Sequence, residues 1–244
     1  MRTVIWFIYF WAYLVLVYPK QRKYQALKKA GKLTEAHQQE INDIVEKWAQ
    51  RLLWVAGLKC QVYGTENLPQ DRAVLFTPNH QGNFDIPLVI TRLGRIHPLV
   101  AKDSLEKVPF LAAWMKLFDC LFLDRGNPRA SVKTFARAEE LIKEGKSVII
   151  FPEGTRSKGE EMGEFKEGAF KIALKTGADV VPVSIDGSYK AMEMNGFWIH
   201  PAEVKLTILP AIKVADLEGD EKKHLGKRVS ESIIKARDNT RAMG

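Results

Sequence analysis

The chain has 244 residues, of which 46% are hydrophobic and 27% are charged, and its formal net charge is +8. This length and composition fit one globular domain with an appendage, and they exclude a disordered or collagen-like chain. Its two cysteines and five histidines show neither a disulfide framework nor metal-ligand spacing, so we expect a reduced, cytosolic setting and no metal site.

The positive charge is concentrated at the N-terminus, where residues 1–32 contain seven basic and no acidic residues. The rest of the chain is close to neutral. A nucleic-acid-binding protein usually spreads its basic residues over a domain face, whereas these residues flank the most hydrophobic segment of the chain. The pattern therefore indicates anionic membrane lipids as a partner and argues against nucleic acid.

The first predicted element is a helix over Val4–Tyr18, fifteen residues without a charge that end before Pro19. Such a helix is about 22 Å long, against roughly 30 Å of bilayer hydrocarbon, and its aromatic side chains prefer the headgroup boundary. We interpret it as lying in one leaflet, with a tilted span and a buried core helix as alternatives. The residues expected at the lipid surface are Trp6, Trp11, Tyr18, Lys20, Arg22 and Lys23.

A second helix is predicted from Thr34, a suitable N-cap, to Ala56, with Gly57 as its stop. Apolar residues recur along it every three or four positions, so one face packs on the protein core or on lipid. We expect residues 1–57 to form a two-helix membrane-association motif. The bases after Pro19 would stay on the cytoplasmic face of the cell membrane, as would the rest of a monotopic or peripheral protein.

Beyond Gly57, short β-branched segments alternate with helical ones. This alternation predicts an α/β fold with a mixed, largely parallel sheet covered by helices, over residues 58–244. The predicted strands are Lys59–Tyr63, Ala73–Thr77, His97–Ala101, Leu121–Leu123, Ser147–Phe151, Val180–Ser184 and Val204–Leu209. The predicted helices are Ile86–Leu93, Pro109–Leu117, Arg129–Glu144, Gly168–Thr176 and Lys222–Arg237.

The first candidate site follows the strand Ala73–Thr77, in a loop that contains His80 and Asp85. On a continuous helix these side chains would point about 140° apart, but Gly82 and Pro87 favour a loop. In that loop Asp85 can bond one ring nitrogen of His80 and leave the other as a base, as in the catalytic triads. The spacing is also common by chance, and Asp85 could simply cap the next helix.

Two further strands are predicted to end beside arginines. Arg156 follows Ser147–Phe151 and Arg125 follows Leu121–Leu123. The loops at the carboxyl ends of parallel strands gather at one edge of a sheet, and a guanidinium suits a phosphate. Arg156 could equally form a surface ion pair with Glu153. Pro182 interrupts another predicted strand, which indicates an edge, a bulge or a ligand contact.

These four segments, in this order, resemble the four sequence blocks of the glycerolipid acyltransferase superfamily. They read NHQGNFD at 79–85, LDRG at 123–126, FPEGTRS at 151–157 and VPV at 181–183. The resemblance covers residues 57–210 and is specific because four blocks agree in order and spacing. The family often has Ser where this chain has Gln81 or Gly82, which leaves the hydrogen bonding of the histidine loop open.

The resemblance implies an α/β acyltransferase domain over residues 58–244. The implied reaction moves a fatty acyl group from acyl-CoA or acyl-carrier protein to the sn-2 hydroxyl of 1-acyl-glycerol-3-phosphate, giving phosphatidic acid. His80 would be the general base, held by Asp85. The residues that would hold the glycerol-phosphate end are Arg125, Gly126, Glu153, Gly154, Thr155 and Arg156, with Lys102 as an additional phosphate candidate.

The carboxylate of Glu153 would repel a phosphate, so we expect it to contact a glycerol hydroxyl or to position Arg156. The chain has no G-x-S-x-G nucleophile elbow, so a covalent acyl-enzyme is not predicted. No cofactor beyond the thioester co-substrate is expected. Two alternatives remain open: an acyltransferase for another lysophospholipid or lipid alcohol, and a non-enzymatic peripheral lipid-binding protein.

Overall fold

The structure, a computed structural model, describes residues 1–242, so the last two residues of the predicted domain 58–244 lie outside it. Its strands are β1 (Leu58–Tyr63), β2 (Leu75–Pro78), β3 (Val100–Lys102), β4 (Leu121–Leu123), β5 (Val148–Ile149), β6 (Val180–Asp186) and β7 (Ala202–Ile208). Its helices are α1 (Arg2–Leu16), α2 (Tyr18–Lys29), α3 (Glu35–Ala56), α4 (Asp85–Arg92), α5 (Leu111–Leu117), α6 (Pro128–Lys143), α7 (Lys171–Thr176), α8 (Gly219–Lys223) and α9 (Leu225–Ala242).

The main sheet has the strand order β1-β7-β6-β2-β5. All its pairs are parallel except β6–β7, which confirms the predicted mixed, largely parallel sheet. Strands β3 and β4 form a separate parallel pair, and a parallel bridge from Leu99 to Ile149 places β3 beside β5. The carboxyl ends of β2, β5, β3 and β4 consequently lie at one edge.

The central strands are buried on both faces because helices cover both sides of the sheet. Alternate side chains of β2 enter different hydrophobic clusters. Phe76 joins a cluster formed with α1, α3, α4 and α5, whereas Leu75 joins a cluster formed with α6, α7 and α9. The sheet is therefore the middle layer between two cores, and its polar loops lie at the ends of the strands.

Pro182 is buried and lies in an interior strand, so the predicted edge position is wrong; the structure has a bulge there, and the ligand contact stays a prediction. Val183 pairs with Ile208, but the next bridge joins Val180 to Ile212, which leaves one extra residue on the β7 side. The carbonyl of Pro182 still accepts a hydrogen bond from the Leu209 N–H. The missing proline N–H thus falls where the ladder is already interrupted.

The N-terminal region contains three helices, one more than the sequence predicts, because Pro19 begins a helix instead of ending one. Pro19 occupies the first turn of α2, where its missing N–H has no intrahelical partner to lose. The axes of α1 and α2 meet at 50°. Helix α3 begins with Thr34 as its N-cap and ends at Gly57, whose φ of 74° is the left-handed value that glycine adopts readily.

The inner face of α1 packs against α3 and the sheet domain. Trp6 is buried, and its Nε1 donates to the carbonyl of Leu52 at 3.0 Å. The centroid of its ring lies 5.5 Å from the ring centroid of Phe84. The prediction that Trp6 faces lipid is therefore wrong, because a helix this apolar has an inward face that composition alone does not identify. Trp11 and Tyr18 are exposed, as are Lys20, Arg22 and Lys23.

No single helix among residues 1–242 is long and apolar enough to cross a membrane, although α1 and α2 together meet that criterion across their bend. The buried side chains of α1 and α3 belong to the same hydrophobic cluster as β6 and α4. The proposed boundary between residues 1–57 and 58–244, and the membrane role of the first part, stay predictions.

Candidate active site

The His80 side chain lies in the loop that joins β2 to α4, and Asp85 is the first residue of α4. The distance from His80 Nδ1 to Asp85 Oδ2 is 2.7 Å. Asp85 is fully buried, whereas the His80 side chain is partly accessible. This is the contact that the HQGNFD spacing predicts, and it places the ring beside the carboxyl edge of the sheet; its catalytic role stays a prediction.

Four donors surround the Asp85 carboxylate. Besides the His80 ring, Oδ2 accepts the backbone N–H groups of Gln81 at 2.7 Å and Gly82 at 2.8 Å, and Oδ1 accepts the hydroxyl of Ser188. An acceptor at Nδ1 requires the proton of neutral His80 to be on that nitrogen. The lone pair on Nε2 can then accept a proton, so this nitrogen can act as a base.

Glu153, which follows β5, fastens the His80 loop from the other side. Its buried carboxylate accepts the backbone N–H of His80 at 2.6 Å and that of Gly163 at 2.7 Å. Burial raises the pKa of Glu153, and these two N–H groups oppose that effect. The sequence places Glu153 against a glycerol hydroxyl or Arg156, but in the structure both of its oxygens bind backbone amides.

The two sequence blocks are also joined through the backbone. Ser157 N donates to the His80 carbonyl at 2.8 Å, and Lys158 N donates to the Gln81 carbonyl at 3.1 Å. The ring centroids of His80 and Phe151 are 4.2 Å apart. The histidine is consequently held by its own ring partner, by its amide and by its carbonyl, which fixes its position before any substrate binds.

Arg156 lies next to the same loop. Its Nη1 donates to Asn83 Oδ1 at 2.5 Å and lies 3.1 Å from Glu193 Oε1. Glu193 Oε1 also accepts the Asn83 N–H at 2.8 Å, and the Glu193 side chain is only 4% exposed. Arg156 thus forms an ion pair with Glu193. Its other guanidinium N–H groups have no hydrogen-bond partner within residues 1–242.

Gly154 and Thr155 form the turn between Glu153 and Arg156. Gly154 has a φ of 72°, a left-handed conformation that any side chain would strain. Thr155 is exposed on the same turn. This conformation lets the chain reverse after the buried Glu153 and bring Arg156 back toward the loop at 79–85.

Arg125, Gly126 and Lys102 reach the same edge of the sheet but lie further along it. Lys102 ends β3 and is paired with Leu123, the last residue of β4. With strands about 4.8 Å apart, β3 and β4 lie roughly 10 and 14 Å from β2. Arg125 is exposed, and its side chain has no hydrogen-bond partner among the residues that the structure describes. Among residues 1–242, the hydrogen bonds of His80 do not include any of these three residues.

An apolar cavity of about 500 Å³ begins beside the His80 loop. It is lined on the loop side by Asn83 and Ile86, and it runs between α1, α3, α4 and α5. Among the other lining residues are Phe7, Phe10, Trp11, Trp48, Ile90 and Met115. A space of this size and composition fits a hydrocarbon chain.

Ser188 and Glu193 are site residues that the sequence analysis missed. They lie 103 and 110 residues from their partners Asp85 and Asn83. Neither belongs to one of the four blocks, and a single Ser or Glu in a loop carries no motif. Their position is the one sequence feature that could have indicated them, because both follow the VPV strand, which pairs with β2 in the sheet.

Comparisons with known proteins agree on one family. Residues 59–186 match the family described as Acyltransferase. A 1-acyl-sn-glycerol-3-phosphate acyltransferase of Borreliella burgdorferi is 32% identical over 75% of this chain and 73% of its own length. A chloroplastic enzyme of the same name from Brassica napus is 36% identical over 72% of this chain and 51% of its own length, so the aligned segment spans about half of the plant protein.

A solved structure resembles the whole described fold. The 1-acyl-sn-glycerophosphate acyltransferase of Thermotoga maritima superposes with a TM-score of 0.78 and 26% identity, and the match covers 99% of this chain and 98% of that one. The N-terminal helices are therefore included in the likeness. Together with the family match across the four blocks, this establishes that the chain belongs to the acyltransferase family.

Proposed function

We propose that this protein transfers a fatty acyl group from a thioester to the sn-2 hydroxyl of 1-acyl-glycerol-3-phosphate, which yields phosphatidic acid. The observation that carries the proposal is the contact of 2.7 Å between His80 Nδ1 and Asp85 Oδ2, with Nε2 left as a base beside an apolar cavity. The names of the relatives and of the similar solved structure support the same reaction and acceptor.

In the proposed mechanism, His80 Nε2 removes the proton of the sn-2 hydroxyl. The alkoxide attacks the thioester carbonyl, the tetrahedral intermediate collapses, and the C–S bond breaks. The leaving thiolate takes the proton back from the His80 imidazolium, which the Asp85 carboxylate stabilises. General-base catalysis of this kind contributes about 10²- to 10⁴-fold, and alignment of two bound substrates contributes on the order of 7–11 kcal/mol.

The acceptor's phosphate is proposed to bind at the edge of the sheet beyond His80. Arg156 lies next to the loop and keeps free guanidinium donors, and Arg125 and Lys102 extend the cationic edge along β4 and β3. Gly126, Gly154 and Thr155 supply small residues in the turns that carry these arginines. A phosphate monoester would be attracted by two guanidinium groups more strongly than a neutral headgroup would be.

The acyl chain is proposed to occupy the cavity between α1 and the sheet domain. The cavity starts at Asn83, two positions before Asp85, and its lining is apolar. A thioester carbonyl placed near His80 would leave its hydrocarbon tail in this space. The depth of the cavity would then set the preferred chain length.

The protein is proposed to act at the cytoplasmic face of the cell membrane, as a monotopic or peripheral protein. The exposed apolar side chains of α1 and the exposed bases Lys20, Arg22 and Lys23 favour an anionic lipid surface. The proposed partners are therefore lysophosphatidic acid, anionic lipids and an acyl-carrier-protein or CoA thioester. No other cofactor is part of the proposal.

The experiment is an assay matrix in detergent micelles that follows thiol release. Palmitoyl-CoA and palmitoyl-acyl-carrier protein are each offered with lysophosphatidic acid, lysophosphatidylcholine and a long-chain alcohol, using wild type and His80→Ala. We expect turnover with lysophosphatidic acid, and its loss in His80→Ala while thermal melting shows that the variant still folds. Turnover only with a different acceptor, or full activity of His80→Ala, would contradict the proposal.

A further inference from the structure

The loop from Met192 to Trp198, between β6 and β7, exposes three large apolar side chains. Met194 is 69% exposed, Phe197 is 82% exposed and Trp198 is 62% exposed. A single exposed apolar residue is ordinary, but three within five positions form a patch of the kind that marks an interaction surface. Nothing in the proposed acyl transfer uses Met194 or Trp198.

The backbone conformation of the loop and its two buried ends keep these side chains pointing outward. Asn195 N donates to the Met192 carbonyl at 2.9 Å, and Trp198 N donates to the Asn195 carbonyl at 3.2 Å. Gly196 has φ 65° and ψ −118°, a conformation that is essentially restricted to glycine. Met192 and the following Ile199 are buried, so both ends of the loop are fixed while its tip is displayed.

The tip lies beside the start of α1, on the other side of the cavity mouth. Ile199 N donates to Thr3 Oγ1 at 2.8 Å. Phe197 lines the same cavity as Phe7 and Trp11 of α1, and all three are exposed. The cavity therefore reaches the surface between two apolar rims, one provided by α1 and the other by the loop.

We infer that the Met192–Trp198 loop is a second lipid-contacting element, which enters the same leaflet as α1 so that the cavity mouth is seated in the bilayer. Tryptophan and phenylalanine favour the membrane interface. The occupant is a bilayer because the patch adjoins the exposed apolar side chains of α1, and the exposed bases beyond the far end of α1, among them Lys20, Arg22 and Lys23, complement anionic headgroups. This inference rests on the proposed membrane location and is independent of the proposed reaction.

The same loop carries the partner of Arg156. Glu193 points inward, where its Oε1 meets the Asn83 N–H and Arg156 Nη1, while its neighbour Met194 points outward. A loop seated in lipid would hold Arg156 at the level of the headgroups. The headgroup of a bilayer-resident acceptor would then reach the arginine without leaving the membrane.

The first test compares vesicle binding by sedimentation, using vesicles of equal parts phosphatidylcholine and phosphatidylglycerol. The variants are Trp198→Ser and Phe197→Ser/Trp198→Ser, with Val132→Ser as the control because Val132 is also exposed but lies on α6. We expect the double variant to bind about tenfold more weakly or worse, and the control to bind like wild type. Binding of the double variant within twofold of wild type would overturn the inference.

The second test locates Trp198 directly, by quenching tryptophan fluorescence with lipid brominated on its acyl chains. Wild type should be quenched more than Trp198→Phe, with Trp11 accounting for quenching that remains. Equal quenching would overturn the inference. A dimer of wild type without lipid that the double variant fails to form would also overturn it, because the patch would then be covered by a second copy.

Activity separates this inference from the proposed function. Trp198→Ser should keep wild-type turnover when the acceptor is in detergent micelles and lose at least severalfold when it is in vesicles. Loop-dependent vesicle binding by a wild type without turnover would reject the proposed function alone. Turnover in micelles together with vesicle binding that the double variant retains would reject the loop inference alone.

Discussion

The loop at 79–85 and the turn at 123–127 both follow parallel strands at the same edge, yet their surroundings differ. In the first, the Asp85 carboxylate binds four donors and the amide of His80 is bound by Glu153. In the second, Arg125 is exposed, and a local hydrogen bond of 2.9 Å from Gly126 N to Asp124 Oδ1 organises the turn.

This difference matches two separate proposed roles, proton removal by His80 and phosphate attraction by Arg125. A group that must meet a reacting proton within hydrogen-bond distance is fixed before substrate arrives, since misplacement of a catalytic group by about 1 Å can cost 10²-fold in rate. A group that attracts a phosphate can stay mobile until the ligand orders it. Changes in the 79–85 loop should therefore act on kcat, and changes in the 123–127 turn should act on KM.

The largest effect is expected from Asp85→Asn. The amide oxygen can replace Oδ2 for the two backbone donors, and its NH₂ group can donate to the Ser188 hydroxyl, so the fold should persist. The charge that stabilises an imidazolium is lost, and kcat should fall about 10²- to 10⁴-fold. Steady-state kinetics and thermal melting measure both quantities.

Asp119→Asn is the matched control for that variant. Asp119 binds Lys28 and Lys146 and has a φ of 56°, which asparagine tolerates. Its kcat should stay at the wild-type value. If Asp85→Asn behaves like Asp119→Asn, the proposed role of the Asp85 charge is refuted.

The second effect concerns Arg125→Ala. A charge-assisted hydrogen bond to phosphate contributes about 1.5–3 kcal/mol, which corresponds to a rise in KM for the acceptor of roughly 10- to 100-fold. The kcat should change little. Arg95→Ala is the control, because Arg95 is also exposed but precedes β3 and so lies at the opposite edge. A fall in kcat with unchanged KM would contradict the division of roles.

Glu193→Ala should have a smaller effect on activity and should also lower stability. It removes the acceptor shared by the Asn83 N–H and Arg156, which should lower the free energy of unfolding by about 1–3 kcal/mol and kcat/KM about tenfold. Glu193→Gln keeps an acceptor oxygen and should recover most of the stability but not the ion pair. Equal losses in the two variants would show that charge alone matters.

The smallest effect on activity is expected at His97, a histidine outside the loop. Burial lowers the pKa of His97 to about 4, against an ordinary value of 6.5. The unfolded chain then binds more protons than the native protein between these pH values, so stability falls as pH drops from 6.5 toward 4. The loss reaches about 3 kcal/mol at most.

His97→Gln removes this titration and should flatten the pH dependence of the melting temperature in that range, while turnover at neutral pH changes little. The measurement is thermal melting of both proteins from pH 4 to pH 7. An unchanged slope in the variant would show that other groups control the acid sensitivity.

The sequence predicts the sheet and the His80–Asp85 contact because both follow from local patterns. The strand and helix segments have strong periodicity, and Gly82 and Pro87 keep the histidine loop from becoming a helix. The helix that begins near Pro19 was not predicted, because a proline can either end one helix or begin the next. Only the packing of α2 decides between the two. The pairing of Glu193 with Arg156 depends on a loop that is distant along the chain, so no local pattern contains it.

Direct acyl transfer with His80 as the base is tested by thiol release in a single turnover, measured with excess enzyme over palmitoyl thioester, with and without lysophosphatidic acid. If His80 is the general base, wild type should release thiol rapidly only when the acceptor is present, and His80→Ala with acceptor should be about 10²- to 10⁴-fold slower. A stoichiometric release of thiol without acceptor, or a His80→Ala rate within tenfold of wild type, would contradict it.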